Sequence, residues 1–469
     1  MWQNVKLRKK VILGFFITFF ITSVVYTTTG SYSIKADNLS SNGNSLFSYN
    51  NYAVETNYQF QRALSKYLNY TEVLEFLKAL ELEYPDLVDL TSIGKSYEGR
   101  TLWLIKITNK LSQVANKNQV LLIGVHHARE YISLMVPLYI AYQLVNEFYT
   151  NSTIQKILNY TTYYIIPLLN PDGYLEALYH NPWQRKNTHR IDEDNDGLFG
   201  EDCPEDVNGD GIIGYLINNK TGEWFYEGVD NDGDGKINED WVGGVDLNRN
   251  YNFSWGSDEG ASSDKHAETY FGISPFSENE THALRDFVES IVRQGLSFSF
   301  AISYHSGIRA ILYPWGYTSD TPDDEVLLKY ADFLSNITNY QDIQGYDLYP
   351  VSGEWSDWLY GIYHIPSYTI EVYYDAVEFN KLKETPTQTI NGSWYIPFNV
   401  TKFFNPNEKE ITNVAFPNYK AVIELSYSLI PPEKEEINML FWGIIGVILI
   451  AAVAIVVFVI WTKHRKKIV

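Results

Sequence analysis

Apolar and polar positions recur in two rhythms along this chain, and together they predict a layered α/β body. From Thr71, the residues Val73, Leu74, Leu77 and Leu80 fall on one helical face, with Glu72 in the first turn and Pro85 beyond the end. Residues 102–107 and 120–125 are short apolar runs that read as strands, and a helix is expected over 133–148. Residues 163–169 form a further strand-like run, closed by the turn residues Asn170-Pro171-Asp172-Gly173. Residues 297–304 alternate as a strand does, 368–372 make another, and a last helix is expected over 418–428. Strands alternating with helices imply a parallel or mixed sheet.

Two segments follow neither rhythm. Lys6, Arg8, Lys9 and Lys10 precede an apolar stretch over 11–26, the layout of a secretory signal. No A-x-A site follows, so residues 1–36 read equally as a cleaved signal or a retained anchor. Residues 439–461 carry no charge. At about 1.5 Å per residue such a run spans roughly 35 Å, enough for an apolar bilayer core of about 30 Å. Lys463, His464, Arg465, Lys466 and Lys467 come next, which places the tail 462–469 in the cytosol and the body outside the cell. About ten N-x-[ST] sequons, among them Asn69, Asn151, Asn336 and Asn399, agree with that side. The chain therefore divides into a linker at 37–64, a body at 65–430, a stalk at 431–438 and a C-terminal transmembrane helix.

Composition narrows the chemistry. With 36 Lys and Arg against 57 Asp and Glu, the net charge of −21 argues against a nucleic-acid partner. Hydrophobic residues at 45% exclude a mainly disordered chain. One cysteine, Cys203, excludes internal disulfides and Cys-rich zinc modules, so any metal must be held by His and carboxylates.

Residues 191–240 carry three D-x-[DN]-x-D-G units: Asp192, Asp194 and Asp196; Asp206, Asn208 and Asp210; Asp230, Asp232 and Asp234. That spacing sets alternate oxygens around a hard cation, and calcium in a structural role is the expectation, against a solvated acidic loop. Position twelve holds Cys203, Ile217 or Trp241 instead of Glu, so these are not full EF-hands. Asn238, Glu239 or Asp240 is a candidate to close the third loop.

The segment Gly124-Val125-His126-His127-Ala128-Arg129-Glu130 follows a predicted strand. His127 and Glu130, three apart on a tight turn, can reach one zinc ion, and His126 competes as the partner of Glu130. Further pieces follow in order: Asn170-Pro171-Asp172-Gly173, Trp183-Gln184-Arg185-Lys186, Gly244-Val245-Asp246-Leu247-Asn248-Arg249-Asn250, His305-Ser306-Gly307, Tyr313-Pro314-Trp315-Gly316-Tyr317 and Tyr368-Thr369-Ile370-Glu371. Ser96-Tyr97-Glu98-Gly99-Arg100 precedes them. In these motifs the sequence resembles the zinc carboxypeptidase family, the group of carboxypeptidases A, B and T.

The resemblance implies one α/β catalytic domain with a mixed, roughly eight-stranded sheet flanked by helices. It also implies zinc on His127, Glu130 and His305, Glu371 as general base and Arg185 as oxyanion stabiliser. Asn248 and Arg249 would hold the substrate's free C-terminal carboxylate, Arg129 an outer part of the substrate, and Tyr349 would close over the carboxylate. Ser356 falls at the main specificity position, with Glu354 and Asp357 nearby. The expected activity is hydrolysis of the C-terminal bond of extracellular peptides or proteins. Two other readings remain: a silent, calcium-dependent surface binder on the same fold, and a metallopeptidase acting on cell-wall peptides.

Overall fold

The most apolar runs become the middle of a sheet. The computed structural model describes residues 59–192, 197–238, 240–257 and 259–432. The readings placed on 1–58, Asp194, Asp196, Glu239 and 433–469, including the signal and the 439–461 span, lie outside the described residues. Twelve strands occur among the described residues: β1 (Val88–Lys95), β2 (Thr101–Ile107), β3 (Asn118–Gly124), β4 (Thr161–Ile166), β5 (Tyr215–Ile217) and β6 (Trp224–Tyr226). They continue with β7 (Phe298–His305), β8 (Ala310–Tyr313), β9 (Gln341–Gln344), β10 (Ser367–Glu371), β11 (Gln388–Ile390) and β12 (Ser393–Ile396).

Eight of these form one mixed sheet in the order β1-β2-β4-β3-β7-β10-β8-β9. The central four, β4, β3, β7 and β10, run parallel, whereas β2 and β8 join them antiparallel. Helices cover both faces, which is why β3 and β4 read as unbroken apolar runs. Val120 and Leu122 of β3 pack in the core built with helices Ile132–Glu147 and Ile411–Ser428. Leu121 and Ile123 pack on the other face, with Leu284 and Val288 of helix Asn279–Arg293 and Trp355 and Trp358 of helix Trp355–Tyr363. Among the described residues no helix is long and apolar enough to cross a membrane.

Several expectations shift. Residues 171–179 are not a plain turn but a helix, capped by the Asn170 side chain on the Gly173 N–H, with Pro171 at its first position. The first expected helix runs Tyr70–Glu83, with a capping box between Asn69 and Glu72. The last helix starts at Ile411 and carries Pro417 inside it. Phe60 and Leu64, assigned to the linker, are core residues, and Phe60 packs on Phe76 and Tyr142. The acidic insert is not a free loop, because β5 and β6 join β11 and β12 in a second sheet, ordered β11-β12-β5-β6.

Candidate active site

At the end of β3 the backbone is forced into a sharp turn. A Cβ on Gly124 would meet Ser133 O at 2.4 Å and Pro167 O at 2.5 Å, so glycine alone fits. Val125 then adopts φ 57°, a strained conformation for a β-branched residue, with its N–H on Ser133 Oγ at 3.2 Å. The turn sends the two following histidines to different places. His126 is buried, with Nδ1 2.8 Å from Ser303 Oγ and Nε2 2.8 Å from Tyr251 OH. Both of its nitrogens are engaged in the core, which removes it as a ligand.

His127 Nδ1 lies 2.8 Å from Glu130 Oε1 and 3.1 Å from His305 Nδ1. His305 Nδ1 is 3.2 Å from Glu130 Oε2. Tetrahedral zinc with bonds of about 2.0–2.1 Å would hold its ligand atoms about 3.3 Å apart, so these separations fit the ion. A proton between the two facing Nδ1 atoms would serve two groups; a divalent cation serves all three. The far sides of the rings are fixed as well: His127 Nε2 faces Asp246 Oδ1 at 3.3 Å, and His305 Nε2 lies 3.1 Å from Ser303 Oγ. The Ser306 N–H donates to Glu130 Oε2 at 3.0 Å. Burial pushes the His305 imidazole down to about 4, keeping it neutral as a ligand must be. Burial would raise Glu130, yet the neighbouring imidazoles hold it below the usual carboxylate range.

The sheet also places the expected base. Glu371 pairs with His305 across the parallel strands β10 and β7, so both stand at the same edge of the sheet. Glu371 Oε2 is buried and has no hydrogen-bond partner. Burial, reinforced by the Glu130 charge and opposed by Arg185, raises its proton affinity. Arg185 sets Nε and Nη2 each 2.9 Å from Asp246 Oδ2. Asp246 thus orients a ligand and the expected oxyanion residue at once. It sits inside a quoted motif, where its contacts were not visible.

Of the expected substrate residues, Asn248 and Arg249 adjoin this site through Asp246. Asn248 and Arg249 form a short, buried 3-10 turn capped by Asp246. Asn248 Oδ1 accepts the Trp355 N–H at 3.1 Å, and Arg249 donates to Gly260 O and to Asn248 O. Tyr349 is half-exposed and its phenol lies within electrostatic reach of Arg185. Ser356 is buried at the start of helix Trp355–Tyr363, where its carbonyl accepts from Ser367. Glu354 accepts from Thr369, while Asp357 takes the Gly316 and Tyr317 N–H groups and so is turned toward that loop. The Arg129 fork is filled by Glu268, which no motif singles out.

Among the described residues two groups can hold a metal: His127 with Glu130 and His305, buried, and Asp230 with Asp232 and Asp234, exposed. In the insert, Asp206 and Asp230 each accept N–H groups of their own loop glycines. The buried Asp202 takes the Asn231 and Asn238 N–H groups, and the Gly200 N–H goes to Asp240. Such turns form with or without calcium, and the case for that ion stays with the spacing.

The family described as zinc carboxypeptidase (Peptidase M14) matches residues 73–412. The chain belongs to the zinc carboxypeptidase family. Carboxypeptidase B of Astacus astacus is 28% identical over 343 residues, 70% of this chain and 95% of that protein. Mast cell carboxypeptidase A of Homo sapiens is 27% identical over 65% of this chain and 63% of its own length. The fold is shared with thrombin activatable fibrinolysis inhibitor, at TM-score 0.57 and 23% identity over 78% of this chain and 76% of that one. It is shared too with carboxypeptidase A from Helicoverpa armigera, at TM-score 0.55 and 22% identity over 78% and 75%. This zinc carboxypeptidase is thus a peptide hydrolase of C-terminal bonds, with catalytic zinc on His127, Glu130 and His305.

Proposed function

We propose that this zinc carboxypeptidase trims extracellular peptides that end in a free carboxylate, and that Glu371 does the proton work. When bound, zinc polarises the scissile carbonyl and acidifies water beside it. The chain's own residues supply the rest. Asn248 and the planar fork of Arg249 receive the terminal carboxylate, and Tyr349 closes over that end. Arg185, steadied by Asp246, faces the carbonyl oxygen as negative charge develops there. Glu371 takes a proton from the attacking water and passes it to the leaving amine.

One observation carries the reading: Glu371 Oε2 is buried and unpartnered beside the ligand His305. A carboxylate oxygen left so is costly to the fold, and is retained where water or substrate uses it. Its presence with all three ligands argues against the silent binder. In Glu371→Gln, turnover of a blocked dipeptide should fall about 10²–10⁴-fold with zinc content still about one per chain. Undiminished turnover with zinc bound would refute the assignment. The extracellular, anchored placement rests on the charge-free run 439–461 and the basic tail behind it. A chain limited to residues 37–432, without either apolar end, should leave the membrane pellet with turnover unchanged. Restoring 433–469 alone should return it; no return to the pellet would overturn the anchor.

A further inference from the structure

Arg129 precedes the ligand Glu130, and the resemblance gives it a hold on substrate. Its surroundings leave that hold already taken. Nη1 lies 2.6 Å from Glu268 Oε1 and Nη2 lies 3.0 Å from Oε2, a two-pronged ion pair. Nη1 also donates to Trp183 O at 2.9 Å. The Phe404 ring centre is 4.8 Å from the guanidinium carbon and the Trp183 ring centre 5.9 Å. This guanidinium is therefore occupied before any substrate arrives, and the more exposed member of the pair is the carboxylate.

Glu268 is in turn gripped from the insert, where Tyr226 of β6 donates to its Oε1 at 2.9 Å. Burial would raise its carboxyl, but Arg129 brings it down to about 2, so it carries charge throughout the neutral range. It is not sealed off: its side chain is 33% exposed. It lines a cavity of about 80 Å³ together with Arg185, Lys186, Tyr226 and His266. Arg185 thus pairs with Asp246 and also feels the charge of Glu268. With a substrate held as proposed, its carboxylate on Asn248 and Arg249 and its scissile carbonyl facing Arg185, the preceding residue comes toward the cavity that Arg185 and Glu268 line together.

Resting on the proposed function, we infer that Glu268 is a specificity-determining residue that disfavours an acidic side chain immediately upstream of the scissile bond. It converts what would be a cationic wall, Arg129, into one fronted by a carboxylate. The substrate class is peptides with a neutral or basic penultimate residue.

The test uses the full-length enzyme and three peptides that share a terminal residue but carry Ala, Lys or Glu before it. For the wild type, kcat/KM on the Glu peptide should lie about tenfold below that on the Ala peptide, chiefly through KM. Glu268→Gln keeps the shape and the acceptors without the charge. It should close or invert that gap, read within each enzyme as the ratio of the Glu peptide to the Ala peptide. A wild type indifferent to Glu, or a variant that slows all three peptides alike, would overturn the inference. If the variant does not fold, salt on the wild type decides: the gap should narrow at high ionic strength, and a gap that does not move contradicts the proposal. Cleavage of the Ala peptide by the wild type, and its loss in Glu371→Gln, establish the parent reading separately. A flat profile then counts against Glu268 alone.

Discussion

Glu280 is a carboxylate outside the chemistry whose burial makes the fold sensitive to pH. It opens helix Asn279–Arg293, is fully buried, and accepts the Tyr97 N–H at 2.9 Å. Burial raises its carboxyl to about 7 in spite of that bond. The folded chain therefore keeps a proton that the unfolded chain releases from about pH 4.5 upward. Stability from this group is full below the unfolded value and is lost as pH rises toward and past 7. His189 acts with the same sign: its bond to Glu278 raises the imidazole, and the gain disappears as pH climbs through the raised value. Glu280→Gln, an acceptor without charge, should melt at a higher temperature than the wild type at pH 8 and level with it at pH 5. Equal melting at pH 8 would contradict the argument. Among single residues, the zinc ligands were legible because the short H-x-x-E spacing suggests a shared ion and the ordered motifs that resemble the family supply His305. Asp246 and Glu268 were not, because their roles come from contacts made 119 and 139 positions away in sequence, at His127 and Arg129.

At the scale of elements, legibility followed burial. The central strands were readable because a strand covered on both faces carries a continuous apolar run, as residues 120–123 of β3 show, while β7 was readable by its alternation. The edge strand β1 escaped notice, since its pattern is largely polar and half-exposed. Helix Asn279–Arg293 carries a narrow stripe, Ala283, Leu284, Val288 and Ile291, within a polar sequence. The three-residue strands β5 and β6 cannot announce themselves at all. They exist because β12 pairs with β5 and because Trp183 packs against Tyr215 and Tyr226. Asn170-Pro171 was read as a break, whereas an Asn cap followed by Pro is also how a helix begins.

Over the whole molecule, the parallel centre of the sheet gathers the chemistry at one edge. The turn after β3 brings His127 and Glu130, β7 ends on His305 and β10 ends on Glu371. Ligand sites of open α/β sheets collect at such carboxyl ends. The insert then leans on this edge through Tyr226 and Glu268, joining an acidic segment of a chain with net charge −21 to the substrate path. The central claim is zinc-dependent removal of terminal residues guided by a free carboxylate. It is tested most directly by mass spectrometry of one peptide offered as its free acid and as its C-terminal amide. The free acid should shorten from its C-terminal end, stopping when a zinc chelator is added, while the amide stays intact. Cleavage inside the peptide, or equal trimming of both forms, would contradict the account.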